Sequence, residues 1–382
     1  MTSVLGIAAV FVVLLGAGGF YYYNYLQKPS PAQAAGNRQP AHMAKTVAKR
    51  PESVVSVTPA NGSLGVNGAA EIRIVFSEPL STTSPMPTLV HPLITGTWQR
   101  SGNAAVFVPA RGFGPMTKVT VRIPAGSAGV QSAAGGLLAA PVTVKFRTGG
   151  FRLARMEQLL SQLGYLPLTW ASASGSAPPL NDASAQLSAA FNPPRGSYTW
   201  QSGYPSQLMN LWRPNAASLV LKGAVMAFEA DHGLALDGAI GPEVWHAMFR
   251  AVAADQMNTH GYTYALASQR QPETLTVWHD GSVIFRHLAN TGISVAQTAV
   301  RTDPVYLRYR FQIMKGRNPD GSKYADPVWW VAYFHLGEAV HYFPRASYGF
   351  PQSLGCVELP YGPAKQIWPY LTFGTLVTVT AP

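Results

Sequence analysis

Hydrophobic and polar positions are arranged in four different ways along the chain. From Val4 to Leu26 every residue is apolar or aromatic apart from Asn24, and no charged side chain occurs between Met1 and Gln27. As a helix rising about 1.5 Å per residue this run spans roughly 35 Å, enough to cross a bilayer with some tilt. Tyr21, Tyr22, Tyr23 and Tyr25 stand where an interfacial aromatic belt is expected. The pattern predicts a transmembrane anchor over 1–27; Ala32-Gln33-Ala34 supplies a small-residue cleavage site if the run is instead a signal segment. Residues 28–52, rich in Pro, Ala, Gln, Gly and basic side chains without an apolar period, read as a flexible linker.

Over 53–148 the period becomes two. Val54–Thr58, Glu71–Phe76, Ala104–Val108, Lys118–Ile123 and Val142–Phe146 are separated by turn residues such as Pro59-Ala60-Asn61-Gly62, which predicts an antiparallel β-sandwich. Over 151–255 the period is helical. Leu153, Met156, Leu159, Leu160 and Leu163 form one stripe, a polar loop covers about 167–205, a second helix runs from Leu219 to His232, and a third begins at Pro242. Over 271–382 β-patterns return: Thr274–Trp278 and Ser282–His287 flank a His279-Asp280-Gly281 hairpin turn, followed by Val305–Phe311, Val328–Phe334 and Leu376–Thr380. One helix is expected near Pro363–Tyr370, and the segment from Phe334 to Leu359 is expected to cross the face of this mostly-β domain.

Composition narrows the partners. The 382 residues imply two to four domains. With 28 Lys and Arg against 17 Asp and Glu the net charge is +11, which suits an anionic polymer. No helix-turn-helix, zinc-finger or aromatic RNA-binding pattern points to nucleic acid. Lys28, Arg38, Lys45, Lys49 and Arg50 follow the apolar run and no cation precedes it, so the positive-inside rule alone places the remainder in the cytoplasm. The character of the downstream modules argues instead for an extracytoplasmic location beside a cell-wall polymer. A single cysteine excludes an internal disulfide. The histidines show neither HExxH nor Cys/His cluster spacing, so neither a metal nor another cofactor is expected.

That cysteine, Cys356, stands behind Gly355, with His341 fifteen residues upstream. A thiol is only a few per cent ionised at neutral pH, so a nucleophilic cysteine needs a base within reach. His341 suits that role, with His335 as the competing base. Ser353 and Gly355 suit a tight turn that presents the Cys356 amide to a developing oxyanion. Arg345, Tyr333 and Tyr342 are candidates for holding substrate, whereas Trp330 is assigned to the core.

These residues carry three resemblances. Val54-x-Ser56-Val57-Thr58-Pro59-Ala60-Asn61-Gly62 with Ile74-Val75-Phe76-Ser77-Glu78-Pro79-Leu80 resembles bacterial Ig-like domains. Leu163-Gly164-Tyr165-Leu166-Pro167 together with Ala227-Phe228, His232-Gly233-Leu234, Asp237-Gly238, Ile240-Gly241-Pro242 and Trp245 resembles the three-helix peptidoglycan-binding domain, with a long insertion. His341 followed by Ser353-x-Gly355-Cys356-Val357 resembles the L,D-transpeptidase (YkuD-type) site. The last implies a cysteine acyltransferase that forms a thioester with a peptidoglycan stem tetrapeptide and passes the acyl group to an amine on a neighbouring stem. It implies stem peptides and glycan as partners and a single-pass membrane protein facing the wall. Transfer to water, giving an L,D-carboxypeptidase, and a tethered binding protein with an inactive catalytic-like domain are the alternatives. Three positions depart from the family: Tyr342 where a small residue is common, Leu354 where histidine is frequent, and Glu358 where arginine or asparagine is usual. A carboxylate at 358 repels an acidic stem group unless a neighbour such as Arg345 neutralises it.

Overall fold

The computed structural model describes residues 50–87 and 89–382. The expected anchor over 1–27 and nearly all of the expected linker lie outside the described residues. Among the described residues no helix is long and apolar enough to cross a membrane.

The first region forms seven strands: β1 (Val54–Thr58), β2 (Ile72–Phe76), β3 (Leu89–His91), β4 (Gly96–Ser101), β5 (Ala104–Pro109), β6 (Lys118–Ile123) and β7 (Val142–Arg147). They make two antiparallel sheets, β1-β2-β5-β4 and β3-β6-β7. Period-two alternation drives this, because Ile72, Ile74 and Phe76 turn inward with Val119, Val121 and Ile123 to form one core. β4 escaped the sequence pattern because almost none of its side chains is buried. Its structure comes from register with β5, Gly96 opposite Pro109 through Ser101 opposite Ala104.

The second region contains α1 (Leu153–Gln162), β8 (Leu168–Ser172), α2 (Ala183–Phe191), β9 (Gly196–Trp200), α3 (Ser206–Met209), α4 (Leu219–Asp231) and α5 (Pro242–Ala253). The stripe on α1 packs Leu159, Leu160 and Leu163 against Phe228 of α4 and Met248 of α5. The stretch 167–205, expected as a polar loop, is ordered: β8 and β9 pair from Leu168 with Trp200 to Ser172 with Gly196. Between them α2 is capped by Asp182, whose carboxylate accepts from the Ser184 and Ala185 amides. The inward side chains of this insertion are few and widely separated in sequence, so no window displays the period.

The C-terminal region has β10 (Thr263–Ser268), β11 (Thr274–His279), β12 (Ser282–Leu288), β13 (Thr302–Pro304), β14 (Leu307–Arg317), β15 (Lys323–His335), β16 (Glu338–Tyr342), β17 (Val357–Leu359), α6 (Tyr361–Ile367) and β18 (Leu376–Thr380). One sheet is ordered β12-β11-β10-β18-β13 and the other β14-β15-β16-β17. Ala265, Leu275 and Val377 of the first meet Val340, Val357 and Leu359 of the second in a shared core closed by Ala364 and Ile367 of α6. Tyr262, Tyr264 and Leu376 also join the core of the helical region, so hydrophobic packing continues across 255–271. At that junction Gly374, at φ +82, faces Gly223, and a Cβ on Gly374 would lie 2.1 Å from the Gly223 carbonyl oxygen.

Candidate active site

Strands β16 and β17 run parallel, with Val340 opposite Val357, His341 opposite Glu358 and Tyr342 opposite Leu359. Since side chains alternate across a strand, Val340, Val357 and Leu359 enter the core while His341 and Glu358 face the other way. Cys356, immediately before β17, lies on that second face among Val328, Val331 and Ala339.

The turn before β17 is built around Gly355, whose φ of +112 is a conformation that L side chains rarely adopt. The buried Ser353 hydroxyl clamps it, donating to the Cys356 carbonyl at 2.6 Å and accepting from the Gly355 amide at 3.1 Å. Gly355's amide is thereby occupied. A strap at 290–293 holds the turn from outside: the Ser353 amide donates to Thr291 O, and the Ile293 amide to Ser353 O, both at 2.9 Å. Glu273 fixes the strap by accepting from the Thr291 amide at 2.6 Å and its hydroxyl at 2.7 Å. Asn290 exchanges backbone hydrogen bonds with Glu358 at 2.9 and 3.0 Å. Sequence reasoning missed Glu273, Asn290 and Thr291, which support the site from well outside its motif.

His341 is 2% exposed. Its Nδ1 lies 2.9 Å from the Tyr342 carbonyl oxygen, a contact that requires the proton on Nδ1 and leaves the Nε2 lone pair free. Burial lowers its pKa, opposed by the Tyr342 carbonyl and by Glu358. Burial pushes the Cys356 thiol up to about 12, against a backbone amide from Ala339 that favours the thiolate, while the Glu358 and Glu338 carboxylates add to the rise. At neutral pH the resting pair is a thiol and a neutral imidazole.

Both residues line one cleft of about 700 Å³, with Tyr333, Arg345 and Glu358. Arg345 holds Glu358 through two bonds, Nε to Oε2 and NH2 to Oε1, each 2.8 Å. Its guanidinium also sits 4.6 Å over the Phe343 ring. The Tyr333 hydroxyl accepts from Gln312 Nε2. The opposite wall comes from the β14–β15 hairpin, through Met314, Lys315, Tyr324 and Asp326. These were missed because the expected strand stopped at Phe311, whereas β14 runs on to Arg317 with Tyr309, Phe311 and Ile313 exposed; the Asn318-Pro319-Asp320-Gly321 turn signature was the available signal.

Two expectations change. Tyr342, placed with the substrate-holding residues, does not line the cleft; strand alternation turns it to the opposite face, where its ring lies 5.2 Å from that of Tyr361. His335, the competing base, is absent from the cleft lining, and its Nδ1 lies 3.1 Å from Asp303 Oδ2.

Comparison with known proteins gives further findings. No curated protein matches the chain. Among solved structures, an L,D-transpeptidase from Mycobacterium smegmatis is 14% identical, with 87% of this chain and 100% of that chain covered at a TM-score of 0.30. An L,D-transpeptidase from Mycobacterium tuberculosis H37Rv is 16% identical, with 86% and 98% covered at 0.28. The catalytic domain of an E. faecium L,D-transpeptidase is 22% identical, with 32% and 99% covered, also at 0.28. The region that carries His341 and Cys356 matches, over residues 263–379, the L,D-transpeptidase catalytic domain family, and the N-terminal sandwich matches, over residues 48–148, the bacterial Ig-like domain family.

Proposed function

We propose that the chain is a cell-wall L,D-transpeptidase in which Cys356 is the nucleophile and His341 the general acid and base. The observation that carries this reading is the β16–β17 register, which sets His341 and Cys356 on one sheet face of a common cleft, with His341 Nε2 left free.

His341 Nε2 takes the thiol proton as Sγ bonds to the carbonyl carbon of the donor stem's L,D-peptide bond. The tetrahedral oxyanion meets the Cys356 amide, since that of Gly355 is engaged by Ser353. The C–N bond breaks, the terminal D-alanine leaves with the proton from His341, and a thioester remains. An acceptor amine then attacks and gives its proton to His341, and as the C–S bond breaks that proton passes from His341 to Sγ, restoring the thiol and the neutral imidazole. Arg345 removes the expected repulsion by Glu358, because both carboxylate oxygens are engaged. In this reading the substrate is the peptidoglycan stem, and the N-terminal segment anchors the protein on the wall-facing side of the membrane.

The test is product analysis on purified disaccharide-tetrapeptide. Wild-type protein is expected to release D-alanine and form dimers, and Cys356→Ala to do neither. Tripeptide without dimers would replace transfer by hydrolysis, and no D-alanine release would overturn the reading.

A further inference from the structure

Sγ of Cys356 lies against the β15–β16 turn, between two peptide groups of one short stretch. The Gly337 carbonyl oxygen accepts from the thiol at 3.8 Å, and the Ala339 amide favours the thiolate. The residue between them, Glu338, does not line the catalytic cleft. We propose, on the reading that Cys356 is the nucleophile, that Glu338 is a positioning residue: its carboxylate fixes the turn that brackets Sγ, and its charge opposes ionisation of the thiol.

The turn needs anchors. Leu336 takes a φ of +44, a left-handed conformation that is costly for leucine, and its side chain is 80% exposed, so its own packing does not hold it there. Three contacts do. The Tyr306 hydroxyl donates to the Leu336 carbonyl, His335 Nδ1 lies 3.1 Å from Asp303 Oδ2, and the Ala299 amide donates to both Glu338 oxygens at 3.1 and 3.2 Å. The last of these also reaches the Cys356 turn. A Cβ on Gly355 would lie 3.6 Å from Glu338 Cγ and 3.7 Å from Oε1, so the carboxylate sits beside the residue that precedes the nucleophile. Ala299 in turn continues the strap that clamps Ser353, which closes on itself where the Gly292 amide donates to the Thr298 hydroxyl at 2.8 Å. Glu273 holds one end of that strap and Glu338 the other.

The charges around the thiol leave Glu338 the less compensated of its two carboxylates. Glu358 is neutralised by Arg345. Arg301 is engaged by Asp303, and among the described residues no cation lies within ion-pair range of Glu338. Burial raises the Glu338 pKa, while the Ala299 amide, His335 and Arg301 favour its ionised form and Asp303 opposes it. A carboxylate beside a thiol disfavours the thiolate. Tyr324, Tyr333 and His341 also face the thiol; the phenols are raised from 10.0 and the imidazole is lowered from 6.5, so all three are uncharged between pH 7 and 9.

The experiment is alkylation of the full chain by iodoacetamide without substrate at about pH 7–9, followed by intact mass. Glutamine at 338 keeps an oxygen to accept from Ala299 and removes the charge; alanine removes both. Glu338→Gln is expected to react about threefold faster than wild type or more, as a thiol pKa lowered by about 0.5 gives. Glu338→Ala is expected to react more slowly than Glu338→Gln, because the Ala339 amide that favours the thiolate is no longer held in place. A merely structural role predicts the reverse order, since loosening exposes the thiol most in the alanine variant. In D-alanine release from disaccharide-tetrapeptide, Glu338→Ala is expected to lower kcat by about tenfold or more with KM within about twofold, and Glu338→Gln to recover most of that loss. Alkylation of Glu338→Gln at the wild-type rate, faster alkylation of Glu338→Ala than of Glu338→Gln, or a loss confined to KM would overturn the proposal. Alkylation is read without turnover, so it decides the role of Glu338 even if wild type releases no D-alanine.

Discussion

Replacing Arg345 by methionine tests the electrostatic design of the catalytic cleft. Glu358 is 5% exposed at its side chain and gives both carboxylate oxygens to Arg345 at 2.8 Å. Removing one partner of a buried pair leaves an uncompensated charge and costs about 3–5 kcal/mol. The same bonds hold together segments thirteen residues apart, because Arg345 NH2 also donates to Gln352 O at 3.0 Å. Arg345→Met is therefore expected to lower stability by about 3–5 kcal/mol, whereas Arg345→Met with Glu358→Leu recovers to within about 2 kcal/mol of wild type. Chemistry should shift as well: an unpaired Glu358 carboxylate opposite His341 raises the imidazole pKa, moving the acid limb of the pH–rate profile to higher pH. Urea titration of the four-member cycle, with rate profiles from pH 4 to 8, measures both effects. A loss below about 1 kcal/mol in the single variant, or a double variant no more stable than it, would refute the reasoning. The sequence suggested that Arg345 holds substrate; its engagement with Glu358 makes stability and pH dependence the first effects.

Three further outcomes follow from the geometry. His341→Ala should abolish turnover while His335→Ala retains most of it, since His335 is absent from the cleft lining; equal loss in steady-state assays would contradict the assignment. Gly355→Ala places a side chain at φ +112, so it should cost at least about 1–2 kcal/mol in urea unfolding and slow turnover; an unchanged midpoint would show that the turn tolerates a Cβ. The Cys356 thiol is raised in the fold from 9.0 to about 12, so the unfolded chain ionises first and the thiol's stabilising contribution, complete below pH 9, is lost as pH rises toward 12. Wild type should therefore lose about 1.4 kcal/mol more than Cys356→Ala between pH 8 and 10, and parallel losses would remove the shift.

What the sequence disclosed depended on how locally each feature is encoded. The hairpin at Asp280-Gly281 was legible because both positions take positive φ, 46 and 77 degrees, and Asp-Gly advertises that need. The Ile72–Ile74–Phe76 alternation was legible for the same reason, since one face of one strand carries it. β4 was hidden because its pairing with β5, not burial, determines it, and β14, expected only as far as Phe311, continues to Arg317 through its pairing with β15. At the site, Ser353, Gly355 and Cys356 form a short motif whose spacing is itself the turn. The carboxylate that fixes the strap, Glu273, lies more than eighty positions upstream and meets the turn only through Thr291. Tyr342 was misplaced because adjacency to His341 suggested a shared cleft, whereas a strand sends neighbours to opposite faces.

The paired states of thiol and imidazole bear on when this site can react. With the thiol pushed up to about 12 and the imidazole lowered by burial, moving the proton from Cys356 to His341 in the resting protein is uphill. Geometry agrees: Cys356 is 8% exposed, and Sγ is directed at the Gly337 carbonyl oxygen, 3.8 Å away, as a donor. A thiol in that state is a poor target for adventitious alkylation or oxidation, which attack thiolate. Reactivity then has to come with the substrate. In the proposed mechanism, a carbonyl placed against Sγ accepts the developing negative charge as the proton departs, so deprotonation and bond formation proceed together rather than through a standing thiolate–imidazolium pair. In the proposed mechanism, the apolar surround of Val328, Val331 and Ala339 that holds the thiol protonated is also what restricts its nucleophilicity to an occupied cleft.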